Sequence, residues 1–429
     1  MKILVIGSVL GVVVLGSLFF LFPKEILVSA QPGTKNTQTA VETLKDLIGA
    51  PEHAAVPIAA PATNHNSSSD APNQARLPNP PSIVKAIYIT SWSAGSPSKI
   101  NALIDLIKRT ELNAAVIDIK DYSGYVAYAV DVPEIRASGA LDQLRILRPN
   151  NLIKRLHDEN IYVIGRISVF QDPILAKAHP EWAVKNKTTG KPWTDRKGLA
   201  WMDPAARPVW DYNIAIAKDA LSRGFDELNF DYIRFPSDGD MGNMAYPLWD
   251  EKSLRQSVIK KFFAYIRESL PGGVLSADLF GLTTVNADDL GIGQVIENAY
   301  QYFDYVSPMV YPSHYAPGFL GFKNPADHPY EVVHYSLERA LARLENNKPQ
   351  TASGTVSAVS STQLRFSARL RPWLQDFNLG ATYDAAMVKK QMQAVTDVLG
   401  GASSTGQFTG WLLWDPSNNY TEGALAHEN

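Results

Sequence analysis

Two aspartates, Asp231 and Asp278, each follow a short apolar segment and are the first candidates for chemistry. Neighbouring parallel strands lie about 5 Å apart, so carboxyl groups on such strands can face one substrate. Glycoside hydrolysis uses a pair of this kind: one carboxyl group protonates the leaving oxygen, and the other attacks or stabilises the anomeric carbon. Arg166 or Arg234 beside Asp231 would favour its ionised form, which suits a nucleophile. The pair therefore predicts cleavage of glycosidic bonds, with different environments separating the two roles.

The other candidates are polar and aromatic residues at the ends of the remaining predicted strands. Tryptophan rings can stack on sugar faces, and a buried arginine needs an anion or an acceptor. Residues predicted to contact substrate are Trp92, Asp118, Lys120, Arg166, Arg234, Tyr311, His314, Trp373, Gln375, Trp414 and Asp415. Asp118 and Asp415 are alternatives to Asp278 for the role of the acid.

A divalent metal site is the main alternative use of these carboxylates. His157, His179, His314 and His334 are scattered and show neither H-x-H nor H-E-x-x-H spacing. The chain has no cysteine, which excludes disulfides, a thiol nucleophile and cysteine-ligated zinc. We therefore expect neither a metal nor a cofactor.

Short segments rich in Val, Ile, Tyr and Phe alternate with helical patterns beyond Ser82, which is typical of repeated βα units. The predicted strands are 84–91, 114–120, 162–170, 227–235, 274–280, 305–311, 370–377 and 410–414. The predicted helices are 97–109, 150–159, 208–223, 251–270, 288–302, 330–346 and 384–399. This order predicts an α/β fold, a (β/α)8 TIM barrel over 83–420 with a tail at 421–429. In such a barrel the active site lies at the C-terminal ends of the strands.

An open, doubly wound sheet is the structural alternative to the barrel. It would require a glycine-rich phosphate-binding turn after the first strand. Residues 90–95 read TSWSAG, which is neither G-x-G-x-x-G nor a P-loop. The sequence therefore favours the barrel over a dinucleotide-binding fold.

The connection 172–208 is too long for a simple loop and contains Trp182, Trp193 and Trp201. Connections of this length are often functional. We expect this segment to form a lid or platform over the barrel mouth, with Asp203 as a further candidate for substrate contact.

The first 30 residues predict a membrane helix. Residues 3–22 carry no charge and as a helix would span about 30 Å, the thickness of a bilayer core. A cleaved signal peptide is the alternative, because residues 28–30 (VSA) resemble a cleavage site. Lys2 favours a cytoplasmic N-terminus, which would place the barrel on the extracytoplasmic side, either anchored or secreted. Residues 31–82, rich in Ala, Pro, Asn, Ser and Thr, predict a flexible, disordered linker.

The charge of the chain excludes one class of partner. The net charge is -3 and the pI is near 6.3, and no cluster of Lys and Arg resembles a phosphate-binding surface. We therefore expect no nucleic acid, and instead a polysaccharide or oligosaccharide substrate and, through the N-terminal helix, a membrane.

The strand-end motifs resemble a known family. These motifs are FDYIRFP at 230–236, VIDIKD at 116–121, SADLFG at 276–281, SPMVYP at 307–312 and WLLWD at 411–415. They are similar to the glycoside hydrolase domain family formerly called domain of unknown function 4015, over about 83–419. The resemblance implies a TIM-barrel glycosidase related to the α-amylase and α-galactosidase groups. It also implies Asp231 as the strand-four nucleophile and Asp278 as the acid/base.

The function predicted from these features is hydrolysis of a cell-wall or extracellular polysaccharide by paired carboxylates. Two alternatives use the same residues differently. A non-catalytic glycan-binding barrel would hold sugar without cleaving it, and a metal-dependent carbohydrate deacetylase would use the carboxylates as metal ligands.

Overall fold

The computed structural model describes residues 70–347, 368–401 and 406–427. Eight parallel strands in these ranges form a closed barrel. They are β1 (Val84–Ile89), β2 (Ala114–Lys120), β3 (Tyr162–Ser168), β4 (Glu227–Asp231), β5 (Val274–Phe280), β6 (Tyr305–Met309), β7 (Arg369–Leu370 and Trp373–Gln375) and β8 (Gly410–Trp414). Each strand pairs with the next, and β8 also pairs with β1, which closes the ring. The predicted barrel is confirmed.

The helices that follow the strands cover the outside of the barrel. They are α1 (Pro97–Arg109), α2 (Pro149–Asp158), α3 (Arg207–Arg223), α4 (Arg255–Ser269), α5 (Ile296–Tyr300), α6 (Pro329–Asn346) and α7 (Ala385–Leu399). Helix α1 shows why these segments are helical: Ile100, Leu103, Ile104 and Ile107 recur at intervals of three or four and are all buried. Three shorter helices, Ser91–Gly95, Pro133–Ala137 and Pro173–Ala178, lie within the connections.

Several predicted elements are shorter than expected, and three of these differences have a local reason. Strand β4 ends at Asp231 because Tyr232 has a φ of 52° and turns the chain away. Strand β7 is divided at Pro372, since proline has no N–H to donate to a neighbouring strand. Helix α5 was predicted over 288–302, but positive φ angles at 290, 291 and 293 prevent a helix before Ile296.

One glycine is required where the barrel closes. Gly410, the first residue of β8, has a φ of 95°, and a Cβ at this position would lie 1.8 Å from the carbonyl oxygen of Val84 in β1. Only glycine permits both the conformation and the close approach.

Alternate residues of each strand point into the barrel and define its interior. On β4 these are Glu227, Asn229 and Asp231, from the base of the barrel to its mouth. Glu227 pairs with Arg371 at the base, both with fully buried side chains, while Asn229 donates to Asp278. The interior near β8, β1, β2 and β3 is instead mostly apolar. Asp231 therefore lies at the top of a polar column that ends at the barrel mouth.

Residues 70–82, the end of the predicted flexible linker, lie against the barrel near the N-terminal ends of the strands. The Leu77 N–H donates to Asp226 Oδ1 at 2.6 Å, and the Asn151 N–H of α2 donates to Asp70 Oδ1 at 2.9 Å. These hydrogen bonds hold this part of the linker in one position, which corrects the expectation that it is flexible up to residue 82.

The predicted membrane helix at 3–22 lies outside the described residues. Within the ranges that the structure describes, no helix has the length and apolar character needed to cross a membrane.

Candidate active site

Arg166 of β3 lies at the centre of a cluster of three aspartates at the barrel mouth. Its Nη1 donates to Asp118 Oδ1 at 2.7 Å, and its Nη2 donates to Asp231 Oδ2 at 2.5 Å. Its Nε lies 3.7 Å from Asp278 Oδ2. The four residues come from the consecutive strands β2, β3, β4 and β5. A buried arginine needs such partners, because desolvation of an unpaired charge is costly.

Two aromatic rings cover Arg166. Tyr88 of β1 stacks on Trp414 of β8 with ring centroids 3.9 Å apart. The Arg166 guanidinium lies 5.0 Å from the Trp414 ring and 5.6 Å from the Tyr88 ring. The Tyr88 hydroxyl also donates to Asp118 Oδ2 at 2.5 Å. Asp118 is therefore held by Arg166 and Tyr88 beneath the aspartates that reach the cavity.

Asp278 is a deeply buried acid, with 1% of its surface exposed. Its Oδ1 accepts hydrogen bonds from Trp373 Nε1 at 2.7 Å and from Asn229 Nδ2 at 2.8 Å. Burial, with a further contribution from the negative charge of Asp231, raises the pKa of Asp278 to about 8. At neutral pH this carboxyl group therefore carries a proton that it can donate.

Asp231 differs from Asp278 in its partners. Its Oδ2 accepts from the Arg166 guanidinium, and its Oδ1 accepts from the Tyr232 N–H at 2.6 Å. The Tyr232 N–H is directed at the carboxylate by the unusual backbone conformation at this residue, a form of strain that is common at functional sites. The two aspartates thus differ in their hydrogen-bond donors: the Arg166 guanidinium donates to Asp231, whereas the donors to Asp278 are neutral and Arg166 lies 3.7 Å away.

A cavity opens above these two carboxyl groups. Of the residues predicted to contact substrate, it is lined by Arg166, Arg234, Tyr311, His314, Trp373 and Trp414, together with Asp231 and Asp278. Tertiary structure therefore brings most of the predicted site to one place, on elements that are far apart in the chain.

His314 contributes a neutral imidazole to this cavity. Burial lowers its pKa to about 4, so the ring is uncharged at neutral pH. Its Nε2 is buried and has no hydrogen-bond partner among the described residues. An unpaired ring nitrogen beside a cavity is available to a substrate hydroxyl group.

Lys120 does not line the cavity, contrary to the prediction. Regular alternation along β2 would direct Lys120 to the same side as Asp118. The pairing register of β2 and β3 shifts between these two residues, so the lysine side chain does not follow that alternation. Lys120 Nζ instead contacts Asp172 Oδ2 at 2.6 Å, and neither side chain is exposed. Its role in the described structure is that of a buried ion pair.

Three further predicted residues lie outside the cavity. Gln375 accepts from both the backbone N–H and the hydroxyl of Ser313. Asp415 accepts from the N–H groups of Ser417 and Asn419, which orders the chain after β8. Trp92 is 53% exposed and packs on the Arg145 guanidinium at 4.6 Å. Gln375 and Asp415 therefore fix the backbone of neighbouring segments through hydrogen bonds. Trp92 instead exposes its ring to solvent, where a long ligand could contact it.

The long connection after β3 packs at the barrel mouth. Isolated bridges join 171 to 201, 183 to 202 and 194 to 200, and Trp193 and Trp201 are buried. Asp203 accepts from the N–H groups of Ala205, Leu248 and Trp249 and does not line the cavity, so it orders this segment. Lys197 of the same segment does line the cavity.

Several residues of the site were not predicted from the sequence. Tyr88 on β1 and Asn229 on β4 point into the barrel. Each lies two positions from another inward residue of its strand, so the alternation of side chains along a strand could have predicted both. Tyr232, Phe280 and Lys197 also line the cavity. Lys197 belongs to an irregular segment, where no periodicity indicates the direction of a side chain.

Among residues 70–347, 368–401 and 406–427, no group of three or more His, Asp or Glu side chains could hold a metal ion. In the aspartate cluster the cation that contacts Asp118, Asp231 and Asp278 is the guanidinium of Arg166.

The chain is similar to known proteins in sequence and in structure. Residues 86–420 match the model of a family described as "Putative glycosyl hydrolase domain", whereas no match was found among curated proteins. A hypothetical protein from Ruminiclostridium thermocellum is 41% identical, with 48% of this chain and 98% of that chain covered and a TM-score of 0.41.

Two similar structures are enzymes of known type with low identity. A maltogenic α-amylase from Thermotoga neapolitana is 13% identical, with 77% of this chain and 66% of that chain covered and a TM-score of 0.41. An α-galactosidase from Thermus thermophilus is 13% identical, with 80% and 63% covered and a TM-score of 0.43. The chain thus spans less than two thirds of the length of either enzyme.

The family match extends over most of the chain and includes every strand of the barrel apart from the first two residues of β1. It confirms the resemblance carried by the strand-end motifs. The chain belongs to this family of glycosyl hydrolase domains.

Proposed function

We propose that the protein is a glycosidase that cleaves a cell-wall or extracellular polysaccharide, with Asp278 as the general acid and Asp231 as the nucleophile. The observation that carries the proposal is the contrast between two neighbouring carboxyl groups in one cavity. Burial raises the pKa of Asp278 to about 8, while Asp231 forms an ion pair with Arg166. Carboxyl groups with divergent environments supply the acid and the anion that glycoside hydrolysis needs.

The first step transfers one proton and one glycosyl group. Asp278 gives its proton to the glycosidic oxygen as the bond to the anomeric carbon breaks, and the alcohol leaves. A carboxylate oxygen of Asp231 forms a bond to that carbon. Oδ1 of Asp278 already accepts two hydrogen bonds, so the proton belongs on Oδ2.

The second step restores both groups. Asp278, now a carboxylate, accepts a proton from water as the water oxygen attacks the anomeric carbon. The bond between sugar and Asp231 breaks, and the Asp231 carboxylate returns to its contact with Arg166. These two steps predict that the anomeric configuration is retained, which NMR of the first-formed product can check.

The proposal is tested with the full chain and a panel of neutral and acidic polysaccharides, by measuring released reducing ends. Asp278→Asn is expected to lower kcat by about 10²–10⁴-fold, the usual contribution of an acid–base group. Asp231→Asn should lower kcat at least as much, because the covalent intermediate can no longer form. Asp376→Asn is the matched control, because Asp376 is also a buried strand-end acid but binds Thr421 outside the cavity.

A substrate with an activated leaving group separates the two roles. A dinitrophenyl glycoside needs no protonation to leave, so Asp278→Asn should cleave it far better than it cleaves polysaccharide, whereas Asp231→Asn should cleave neither. Full activity of Asp231→Asn on polysaccharide would refute the assignment. Glycan binding without hydrolysis by the unmodified protein would favour the non-catalytic barrel.

A further inference from the structure

Arg234 is a buried cation without a carboxylate partner, and it lies beside the proposed reaction centre. Only 5% of its surface is exposed. Its Nη1 donates to two neutral acceptors, the carbonyl oxygen of Phe235 at 3.1 Å and the Ser237 hydroxyl at 3.0 Å. Within the described part of the chain, the edge formed by Nε and Nη2 has no hydrogen-bond partner.

Other buried cations of the barrel are neutralised. Arg166 contacts Asp118 and Asp231, Arg371 contacts Glu227, and Lys120 contacts Asp172. A charge removed from water normally requires such a partner. Arg234 therefore departs from the pattern found elsewhere in the same barrel, and at a position that faces a cavity.

Aromatic rings hold the Arg234 guanidinium in place. It lies 4.7 Å from the Trp201 ring and 4.6 Å from the Phe280 ring. Contacts with ring faces stabilise a cation but leave its charge uncompensated. Burial accordingly lowers the pKa of Arg234. A third ring, that of Tyr232, lies 5.3 Å away, so aromatic rings and two neutral acceptors make up the surroundings of this cation.

Arg234 borders two adjoining cavities. One is the cavity that contains Asp231 and Asp278, and the other is a smaller cavity lined in part by Tyr122 and Gln171. Lys197 lines both cavities as well. A sugar unit bound next to the cleaved glycosidic bond would therefore contact Arg234. An acidic group on that sugar unit would lie close to its positive charge.

Two acids, Asp195 and Asp238, line the smaller cavity with Arg234, and neither forms an ion pair with it. Asp195 accepts from Gln171 Nε2 at 2.6 Å, from Trp201 Nε1 at 3.0 Å and from two backbone N–H groups. In the larger cavity Asp231 is bound to Arg166, and Asp278 is protonated at neutral pH. The charges of Asp231, Asp238 and Asp195 offset that of Arg234 only from a distance, so a direct ion pair with Arg234 is left for an incoming anion.

We propose that Arg234 binds the carboxylate of an acidic sugar, so that the substrate is a glycan that contains uronic acid residues. This inference rests on the proposed glycosidase function and specifies its substrate class. The planar edge of a guanidinium matches the two oxygens of a carboxylate, and such paired, charge-assisted hydrogen bonds combine strength with selectivity.

The first experiment changes the ligand and leaves the protein intact. Oligosaccharides of galacturonic or glucuronic acid are compared with the same oligosaccharides after their carboxyl groups are reduced to alcohols. Binding is measured by calorimetry with the full chain carrying Asp231→Asn, which prevents turnover. We expect reduction to weaken binding at least about tenfold, as loss of a charge-assisted hydrogen-bonded pair does.

The second experiment changes the arginine. Arg234→Met should abolish the preference for the carboxylated glycan, and Arg234→Lys should keep part of it because the charge remains. Arg255→Met is the matched control: Arg255 also lies over two rings, Phe235 and Trp249, both at 5.2 Å, but lines neither cavity. It should keep the full preference.

The inference is overturned if reduced and carboxylated glycans bind equally well to the arginine-containing protein. It is also overturned if Arg234→Met weakens binding of neutral and acidic glycans to the same extent, because the arginine would then serve only the fold. Hydrolysis of glycans without any preference for acidic sugars would support the glycosidase function and contradict the role of Arg234. Selective binding of acidic glycans without hydrolysis would support the role of Arg234 and contradict the glycosidase function.

Discussion

The Trp373 indole N–H donates a hydrogen bond of 2.7 Å to Oδ1 of Asp278, joining β7 to β5 at the barrel mouth. A hydrogen bond to the charged form of a carboxyl group lowers its pKa. This contact therefore opposes burial, the main cause of the raised pKa of Asp278. The proton affinity of the proposed acid is set by the balance between these two effects.

Replacing Trp373 with Phe should raise the pKa of Asp278 above its value of about 8, because one donor to the carboxylate is lost. The acid acts in its protonated form, so the alkaline limb of kcat/KM against pH should move to higher pH. The shift should be up to about one pH unit, equivalent to one hydrogen bond. An unmoved limb with a changed KM would show that Trp373 only binds substrate.

Asp278 should also make the stability of the fold depend on pH. Its pKa is about 8 in the folded protein and near 3.8 when exposed, so between these values the folded state holds a proton that the unfolded state releases. The free energy of unfolding should therefore fall as pH rises from 6.5 to 8, by at most about 1.4 kcal/mol per pH unit. Urea unfolding at several pH values measures this slope.

Asp278→Asn should remove most of that slope. Three other buried groups titrate below the window in the folded protein: His314 has a pKa of about 4, and Asp118 and Asp376 each have a pKa of about 6. Asp376→Asn should accordingly leave the slope between pH 6.5 and 8 in place. A slope that survives in Asp278→Asn would contradict the raised pKa of this residue.

Arg166→Met should destabilise the barrel strongly. Asp118 and Asp231 would remain buried without their cation, and breaking a buried ion pair from one side costs roughly 3–5 kcal/mol. The loss measured by urea unfolding should be smaller at pH 5 than at pH 7, because the abandoned carboxyl groups then take up protons. An equal loss at both pH values would mean that lost packing, rather than unpaired charge, is responsible.

Lys120→Met should lower stability without acting on the substrate. It would leave Asp172 buried and unpaired, at a cost of roughly 3–5 kcal/mol. Asp172 also accepts from the Leu175 N–H at 2.8 Å and begins the helix Pro173–Ala178, so the damage should be greatest there. Hydrogen exchange can locate it. A change in the KM of the folded variant would instead show that Lys120 contributes to substrate binding.

Trp92→Ala should affect long glycans alone. Trp92 is 53% exposed and lies outside the cavity, so a short substrate would not reach it. Loss of a ring that stacks on a distant sugar should raise KM for polysaccharide about two- to tenfold. Kinetics on a chain-length series test this expectation, and a uniform effect on all lengths would count against an outlying subsite.

The alternation of apolar strand segments with helical patterns was sufficient to predict the barrel, and it placed most boundaries to within two residues. The strands 114–120, 274–280 and 410–414 and the helix 97–109 were predicted with the bounds that the structure shows. Side-chain periodicity is a local property, so each element can be read from its own residues. The boundaries that failed depended on single residues, such as Tyr232, that adopt rare backbone angles.

The sequence by itself determined that Asp231 and Asp278 would stand at the ends of neighbouring strands, because strand order and alternation follow from local pattern. Tertiary structure alone decided that Arg166 would lie between three aspartates, that Lys120 would turn to Asp172, and that Arg234 would have no carboxylate partner. The physical reason is that charge pairing depends on distances of a few ångströms between distant parts of the chain, and those distances exist only once the barrel has closed.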